Sequence, residues 1–177
     1  MRPLKLRPGV LPQGVSFFHP ATLVATGFGV GLAPIASGTW GSLAALPLGW
    51  LIHGAFGIGG LLLASAIATL LGIVASQWLV TRGDVGDPGY IVIDEIAAQW
   101  LTLAFVPQAW WAYAIAFIAF RLADIFKPFP ANWCDAHVHG GLGVMLDDLV
   151  AGLYAGIAAW VVCRFLPIVE MLRVVGL

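Results

Sequence analysis

"GAFGIGGLLLASAIATLLGIVASQWLV", residues 54–80, carries no charged side chain. About 20 helical residues cover the roughly 30 Å of a bilayer's hydrocarbon core, so this run is long enough to cross one. It sets the fold class: an all-α chain built for a membrane. Composition agrees. Of 177 residues, 60% are hydrophobic and only 10% are charged, against about 25% charged in soluble domains. A water-soluble core of this size needs a polar coat that these residues cannot supply.

Outward from that run, "SLAALPLGWLI" (42–52) precedes it, and "HGA" (53–55) reads as a tight turn between the two. Downstream, "LVAGLYAGIAAWVVC" (149–163) begins another span that runs to about Leu166. Gly152 and Gly156, four apart, either smooth one face for close packing or are merely tolerated in a membrane helix. Residues 96–120 admit two readings. One is a single span. The other is a pair of shorter helices, 91–106 and 109–126, folded about "VPQAWW" (106–111), where Pro107 interrupts the helix and tryptophans favour the membrane–water interface. A single span puts Asp94 and Glu95 on the opposite side from Asp124; a hairpin returns all three to one surface. Residues 21–36 are apolar and glycine-rich with Pro34 near the end, and read as a re-entrant or interfacial helix. The expected architecture is a polytopic membrane helix bundle. It has about five spanning or partly spanning helices plus the N-terminal re-entrant or interfacial one. Residues 1–19 form a basic cytoplasmic tail rather than a cleaved signal, because no apolar stretch follows the bases at once. Residues 20–177 form a single membrane-embedded domain.

In the hairpin arrangement, "SGTWGS" (37–42), "RGDVGDPGYIVIDE" (82–95) and residues 121–148 share one side. Six of the eight Lys and Arg residues (Arg2, Lys5, Arg7, Arg82, Arg121 and Lys127) fall there, with Arg164 and Arg173 opposite. The positive-inside rule makes that side cytoplasmic. A net charge of −1 gives a nucleic-acid partner no electrostatic support. Cys134 and Cys163 lack zinc-ligand spacing, and nothing in their context argues for a disulfide.

Eight of the nine acids lie between residues 84 and 148: Asp84, Asp87, Asp94, Glu95, Asp124, Asp135, Asp147 and Asp148. A carboxylate in the hydrocarbon centre costs about 2.5–3.5 kcal/mol even on lenient scales, and crowding like charges adds to that unless a cation gathers them. Carboxylates without thiol companions suit Mg²⁺, which takes one or two of them plus waters and substrate phosphate. The metal candidates are Asp94, Glu95, Asp124, Asp147 and Asp148. The competing role, for Asp94 and Asp147 in particular, is to complement the dipole of a helix first turn. Arg121, Asp124 and Lys127 recur every three residues along one helix end, which Pro128 then stops. They form either a local ion pair or an anion site in which the cations take phosphate oxygens. "HGGLG" (139–143) offers backbone N–H groups ahead of a helix expected to start near Asp147, and Thr39 and Ser42 offer hydroxyls. The candidate phosphate contacts are Thr39, Ser42, Arg121, Lys127, His139, Gly140 and Gly141. His137 or His139 could move protons, or simply be solvated.

Other phosphate chemistries fail on pattern. Gly140 stands six residues after Cys134 where a thiolate site needs arginine, and no Asp-x-Asp pair is present. What remains is metal-assisted attack by water.

Four blocks, "GFGVGLAPIASGTWGSLAALP", "DPGYIVIDEIAAQW", "FRLADIFKPFP" and "HGGLGVMLDDLVAG", resemble the phosphatidylglycerophosphatase A family in order and spacing, over about Gly27 to Gly152. Departures from the family pattern are Ser37 for a usual proline, Ala98 for a common glycine, and Ala136 where a basic residue is frequent. The resemblance implies Mg²⁺-dependent hydrolysis of phosphatidylglycerophosphate to phosphatidylglycerol and phosphate. It also implies a bacterial inner-membrane location and a site facing the cytoplasm. With the candidates above, the expected catalytic set is Asp94, Glu95, Asp124 and Asp148, acting on a phospholipid held in the bilayer. The rival functions are a lipid phosphotransferase and an ion-coupled transporter. Transporter acids sit near mid-span, whereas these sit at helix ends.

Overall fold

The structure, a computed structural model, describes residues 10–83 and 88–175, with side chains as far as Phe165. The bases Arg2, Lys5 and Arg7 of the expected tail, and the acids Asp84 and Asp87, lie outside the described residues. The described elements are all helical. They are α1 (Pro20–Ala25), α2 (Ser37–Gly83), α3 (Ile93–Leu103), α4 (Trp110–Phe126), α5 (Ala131–His137) and α6 (Gly140–Val175), with a single 3₁₀ turn at Val30–Leu32.

The 47 residues of α2 would reach about 70 Å if straight, more than twice the hydrocarbon core. Instead the chain reverses at Gly57, whose φ of 64° and ψ of −160° belong to glycine alone. The contacts along α3 show the reversal. In the first limb, Gly38 lies against Glu95 and Gly49 against Leu103 and Trp100. In the second limb the order inverts: Leu61 shares a core with Leu103, Ser65 Oγ donates to Ala97 O at 2.8 Å, and Gly72 lies against Ile93. The turn expected at 53–55 is therefore made at Gly57, where any side chain would be strained.

The segment 96–120 is two helices. Helix α3 stops at Leu103, Pro107 occupies the turn, and α4 starts at Trp110. Gln108 Nε2 donates to Trp50 O at 2.9 Å and ties that turn to the first limb of α2. Helix α4 then runs back: Tyr113 lies beside Trp50 and His53, and Arg121 reaches Ser42. Helix α6 begins at Gly140, two turns earlier than expected, so Asp147 and Asp148 lie inside it rather than in a dipole-facing first turn. It follows α3 in parallel. Thr102 Oγ1 donates to Gly152 O at 3.0 Å, and a methyl group at Gly152 or Gly156 would stand 2.8 Å from Ala98 O or 2.5 Å from Phe105. Both glycines thus serve close packing.

The expected 21–36 helix reduces to the six residues of α1 and the 3₁₀ turn. Its length, about 9 Å, is far short of a span. Val92 N donates to Ala25 O at 2.9 Å, and Thr22 and Ala25 are buried. Leu11 and Val15, within the stretch expected as a tail, pack against the same core.

Two helical stretches, Ser37–Arg82 and Gly140–Phe165, are long and apolar enough to cross a membrane, with mean hydropathies of 2.3 and 1.6. Their most apolar windows are only 28% and 44% buried, unlike the core helix of a soluble protein. Leu51, Phe56, Leu63, Leu70 and Val74 are all more than half exposed. An apolar surface that continuous belongs against lipid, and the chain reads as a membrane protein.

Candidate active site

The N-terminus of the first limb of α2, the N-terminus of α3, the last turns of α4 and the third turn of α6 converge at one end of the bundle. Asp94 and Glu95 occupy the first turn of α3, where the positive end of the helix dipole favours them. One carboxylate oxygen from each of Asp94, Glu95 and Asp148 lies within 4.8 Å of the other two. Asp94 and Asp148 are buried, and Glu95 Oε2 and Asp148 Oδ2 meet no hydrogen-bond partner among the described residues. Buried carboxylate oxygens without donors are costly. A divalent cation taking hard oxygen ligands resolves both the crowding and the unmet lone pairs, so the donor set fits such an ion.

Asp124 is close enough to interact electrostatically with both Glu95 and Asp148. Its Oδ2 is held by Arg121 Nη1 at 2.7 Å, with both side chains largely buried. Arg121 Nη1 also donates to Ser42 Oγ at 3.3 Å, and Ser42 Oγ donates to Gly38 O at 2.9 Å. The Ser42 hydroxyl, fully buried, is thus committed to holding Arg121 against α2. Gly38 sits beneath this group: a methyl there would stand 1.9 Å from Glu95 Oε1 and 3.4 Å from Arg121 Nη1. "SGTWGS" is the opening of a helix whose glycines admit α3, with Gly41 packed on Val92. Thr39 is half-buried in the first turn.

Asp147 separates from the cluster. Neighbours on a helix point about 100° apart, and Asp147 Oδ2 is bonded to Lys127 Nζ, which also reaches Asp135 Oδ1 at 3.1 Å. Lys127 caps α4 in a left-handed conformation (φ 41°), which swings it away from Asp124. Burial alone would lower its pKa, but the Asp147 and Asp135 carboxylates outweigh that and hold it above the usual lysine range.

Gly140 and Gly141 pack against the second limb of α2. The Gly141 N–H donates to Gln77 Oε1 at 2.8 Å, and a methyl there would stand 2.1 Å from Ile73 O. Seven residues, about 10 Å of helix, separate Gly141 from Asp148. His139 is exposed, with Nδ1 engaged by His137 O at 3.1 Å, and His137 Nδ1 meets Trp133 O at 2.9 Å. Cys134 and Cys163 are both free and buried.

Sequence reasoning did not single out Gly38, Gln77 or the Asp135–Lys127–Asp147 link. Gly38 stood inside a quoted motif, but its role depends on which helix packs over it. Gln77 carried no signal beyond being a polar residue in an apolar run.

Residues 23–163 match the family model described as Phosphatidylglycerophosphatase A. A protein of that name from Escherichia coli (strain K12) is 42% identical over 147 residues, covering 76% of this chain and 78% of the relative. Another of that name from Haemophilus influenzae is 38% identical over 149 residues, covering 84% and 91%. A protein from Bacteroides thetaiotaomicron named "Putative phosphatidylinositol-3-phosphatase" is 34% identical over 166 residues, covering 88% and 98%. No solved structure shows significant similarity.

Proposed function

The chain belongs to the phosphatidylglycerophosphatase A family, and from that premise we propose that it hydrolyses phosphatidylglycerophosphate to phosphatidylglycerol and inorganic phosphate. The observation that carries the reading is the meeting of Asp94, Glu95 and Asp148, from two helices, beside an arginine. Asp94, Glu95 and Asp148 would hold Mg²⁺. The ion, when bound, would supply charge neutralisation and Lewis-acid polarisation at the phosphoryl oxygens.

The protein's own residues supply the rest. Arg121, fixed by Ser42 and Asp124, faces the same space and neutralises charge that grows on the phosphoryl oxygens during attack. The N-termini of α2 and α3 add partial positive charge there. Asp124, whose Oδ2 is held by Arg121, would take the proton of the attacking water. A phosphorus–oxygen bond forms to water and the bond to the glycerol oxygen breaks; the proton that Asp124 took from water passes to that oxygen, which leaves as the hydroxyl. Asp94, Glu95 and Asp124 lie in terminal turns and Asp148 in the third turn of α6, all toward one end of the bundle, which favours a surface reaction over an ion pathway. Among the described residues, Arg82, Arg121 and Lys127 lie toward the site's end of the bundle and Arg164 toward the other, a bias that supports a cytoplasmic orientation in a bacterial inner membrane. The helix count, near five with the two limbs of α2, α3, α4 and α6, belongs to the same proposal.

The test is phosphate release from phosphatidylglycerophosphate by purified protein in mixed micelles, with Mg²⁺ and then with a chelator. Phosphatidylinositol 3-phosphate serves as comparator, and an acceptor alcohol is added in a parallel arm. Chelator-sensitive release from the first substrate is expected. No release, preference for the inositide, or transfer to the alcohol would each overturn the assignment.

A further inference from the structure

The first limb of α2 and α4 form an antiparallel pair with two polar rungs. At one end Arg121 Nη1 donates to Ser42 Oγ at 3.3 Å. At the other, Tyr113 OH meets His53 Nδ1 at 3.0 Å and its ring packs edge-on against Trp50 with centroids 5.2 Å apart. Between and beside these rungs lies a groove of about 360 Å³ lined by Leu46, Pro47, Trp50, Trp110 and Tyr113, within the usual range of about 300–1,000 Å³ for ligand sites. Leu46 is one turn and Trp50 two turns beyond Ser42, and Tyr113 is two turns beyond Arg121, so the groove begins about 6 Å from the arginine rung and continues past about 12 Å. Its walls are apolar. Pro47 contributes no N–H, and the Tyr113 hydroxyl is already engaged. Trp110 is 79% exposed at the outer edge, leaving the groove open to the side.

We propose that this groove seats one acyl chain of the substrate lipid. The inference rests on the phosphatase reading above and identifies the part of the substrate that reading leaves unplaced. Its warrant is continuity. A lipid phosphate at Arg121 has its chains directed along the bundle, and the apolar channel lies along the same two helices that hold the arginine. Occupation by a chain confers binding shared by ground and transition states, so it lowers KM and leaves kcat alone.

The experiment compares long-chain and dihexanoyl phosphatidylglycerophosphate with wild type and Leu46→Trp, which fills the groove without touching Arg121 or the carboxylates. The expected result is a rise in KM of about tenfold for the long-chain lipid with kcat retained, and little change for the dihexanoyl lipid. Equal losses on both substrates, or none on either, overturn the proposal. Because Leu46→Trp could disturb packing, wild-type protein is also photolysed with a long-chain substrate analogue bearing a diazirine along its acyl chain. Adducts are expected within 46–50 and 110–113. Adducts confined to other helices, such as 59–67, overturn it. Failure of the phosphatase reading looks different: wild type then releases no phosphate from either lipid.

Discussion

Glu95 Oε1 occupies the space that a side chain at Gly38 would need, 1.9 Å from where a Cβ would stand. The absence of a side chain on α2 is thus what lets a carboxylate of α3 reach the centre of the bundle end. Gly38→Ala should keep the protein folded but push Glu95 off its position, lowering phosphate release by about 100-fold, the order that a 1 Å misplacement produces. Thermal unfolding and steady-state kinetics measured together check this. Activity within a few-fold of wild type would show that Glu95 need not sit where it does.

The neighbours Asp147 and Asp148 should behave oppositely. Asp148→Asn and Glu95→Gln remove oxygens from the three-carboxylate group and should abolish both phosphate release and the thermal stabilisation that added Mg²⁺ confers. Asp147→Asn should retain the Mg²⁺-dependent shift, because its carboxylate faces Lys127. A metal response lost equally in all three would return Asp147 to the ligand set.

Lys127 should matter to stability more than to chemistry. Its replacement by methionine leaves Asp147 buried without its cation. The expected loss is roughly 2 kcal/mol, between the values for surface and buried pairs, as Lys127 retains some exposure. Lys127→Met with Asp147→Asn should recover part of the loss. Since the pKa of Lys127 is raised on folding, its contribution is complete below about pH 10.4 and fades only as pH climbs through the folded value. The wild-type minus variant difference in unfolding free energy should therefore be level where Asp147 is ionised in both proteins and shrink at lower pH, where the variant's buried carboxylate takes a proton. A difference unchanged down to acid pH would contradict the pairing.

Gly141→Ala separates packing from phosphate binding. The added methyl meets Ile73 O at 2.1 Å and intrudes on Gln77, so melting temperature should fall while KM for the lipid in the surviving folded fraction stays near wild type. A raised KM at unchanged stability would restore this glycine to the substrate site.

The fold was most legible where a residue type leaves one local option. Pro107 with Trp110 and Trp111 made a turn one of two readings of 96–120, and the structure takes that one, bringing Asp124 back to Glu95. The uncharged 54–80 run marked an apolar helix long enough to cross a membrane, although its first residues belong to the reversal at Gly57. What escaped was decided by partners distant in sequence. The reversal of α2 was expected at "HGA" and falls at Gly57 instead, because local sequence does not choose among the closely spaced Gly54, Gly57, Gly59 and Gly60. The start of α6 at Gly140 was hidden because its glycines suggested a loop; they are close-packing positions against Ile73 and Gln77. The spacing of Arg121, Asp124 and Lys127 put all three on one helical face, but the left-handed cap at Lys127 ends that face one residue early. Among the acids, sequence supplied the pool. Only the crossing of α3 and α6 separates Asp148 from Asp147.

Helix α3 has 11 residues and rises about 16 Å, close to half the depth of a hydrocarbon core. Its acidic start and its turn at Pro107 are therefore about one leaflet apart. In the orientation proposed above, which puts the carboxylates level with the headgroups of one monolayer, selectivity for sidedness becomes a matter of reach. A phosphorylated lipid that had flipped to the far monolayer would meet only hydrocarbon-facing side chains and pass unprocessed.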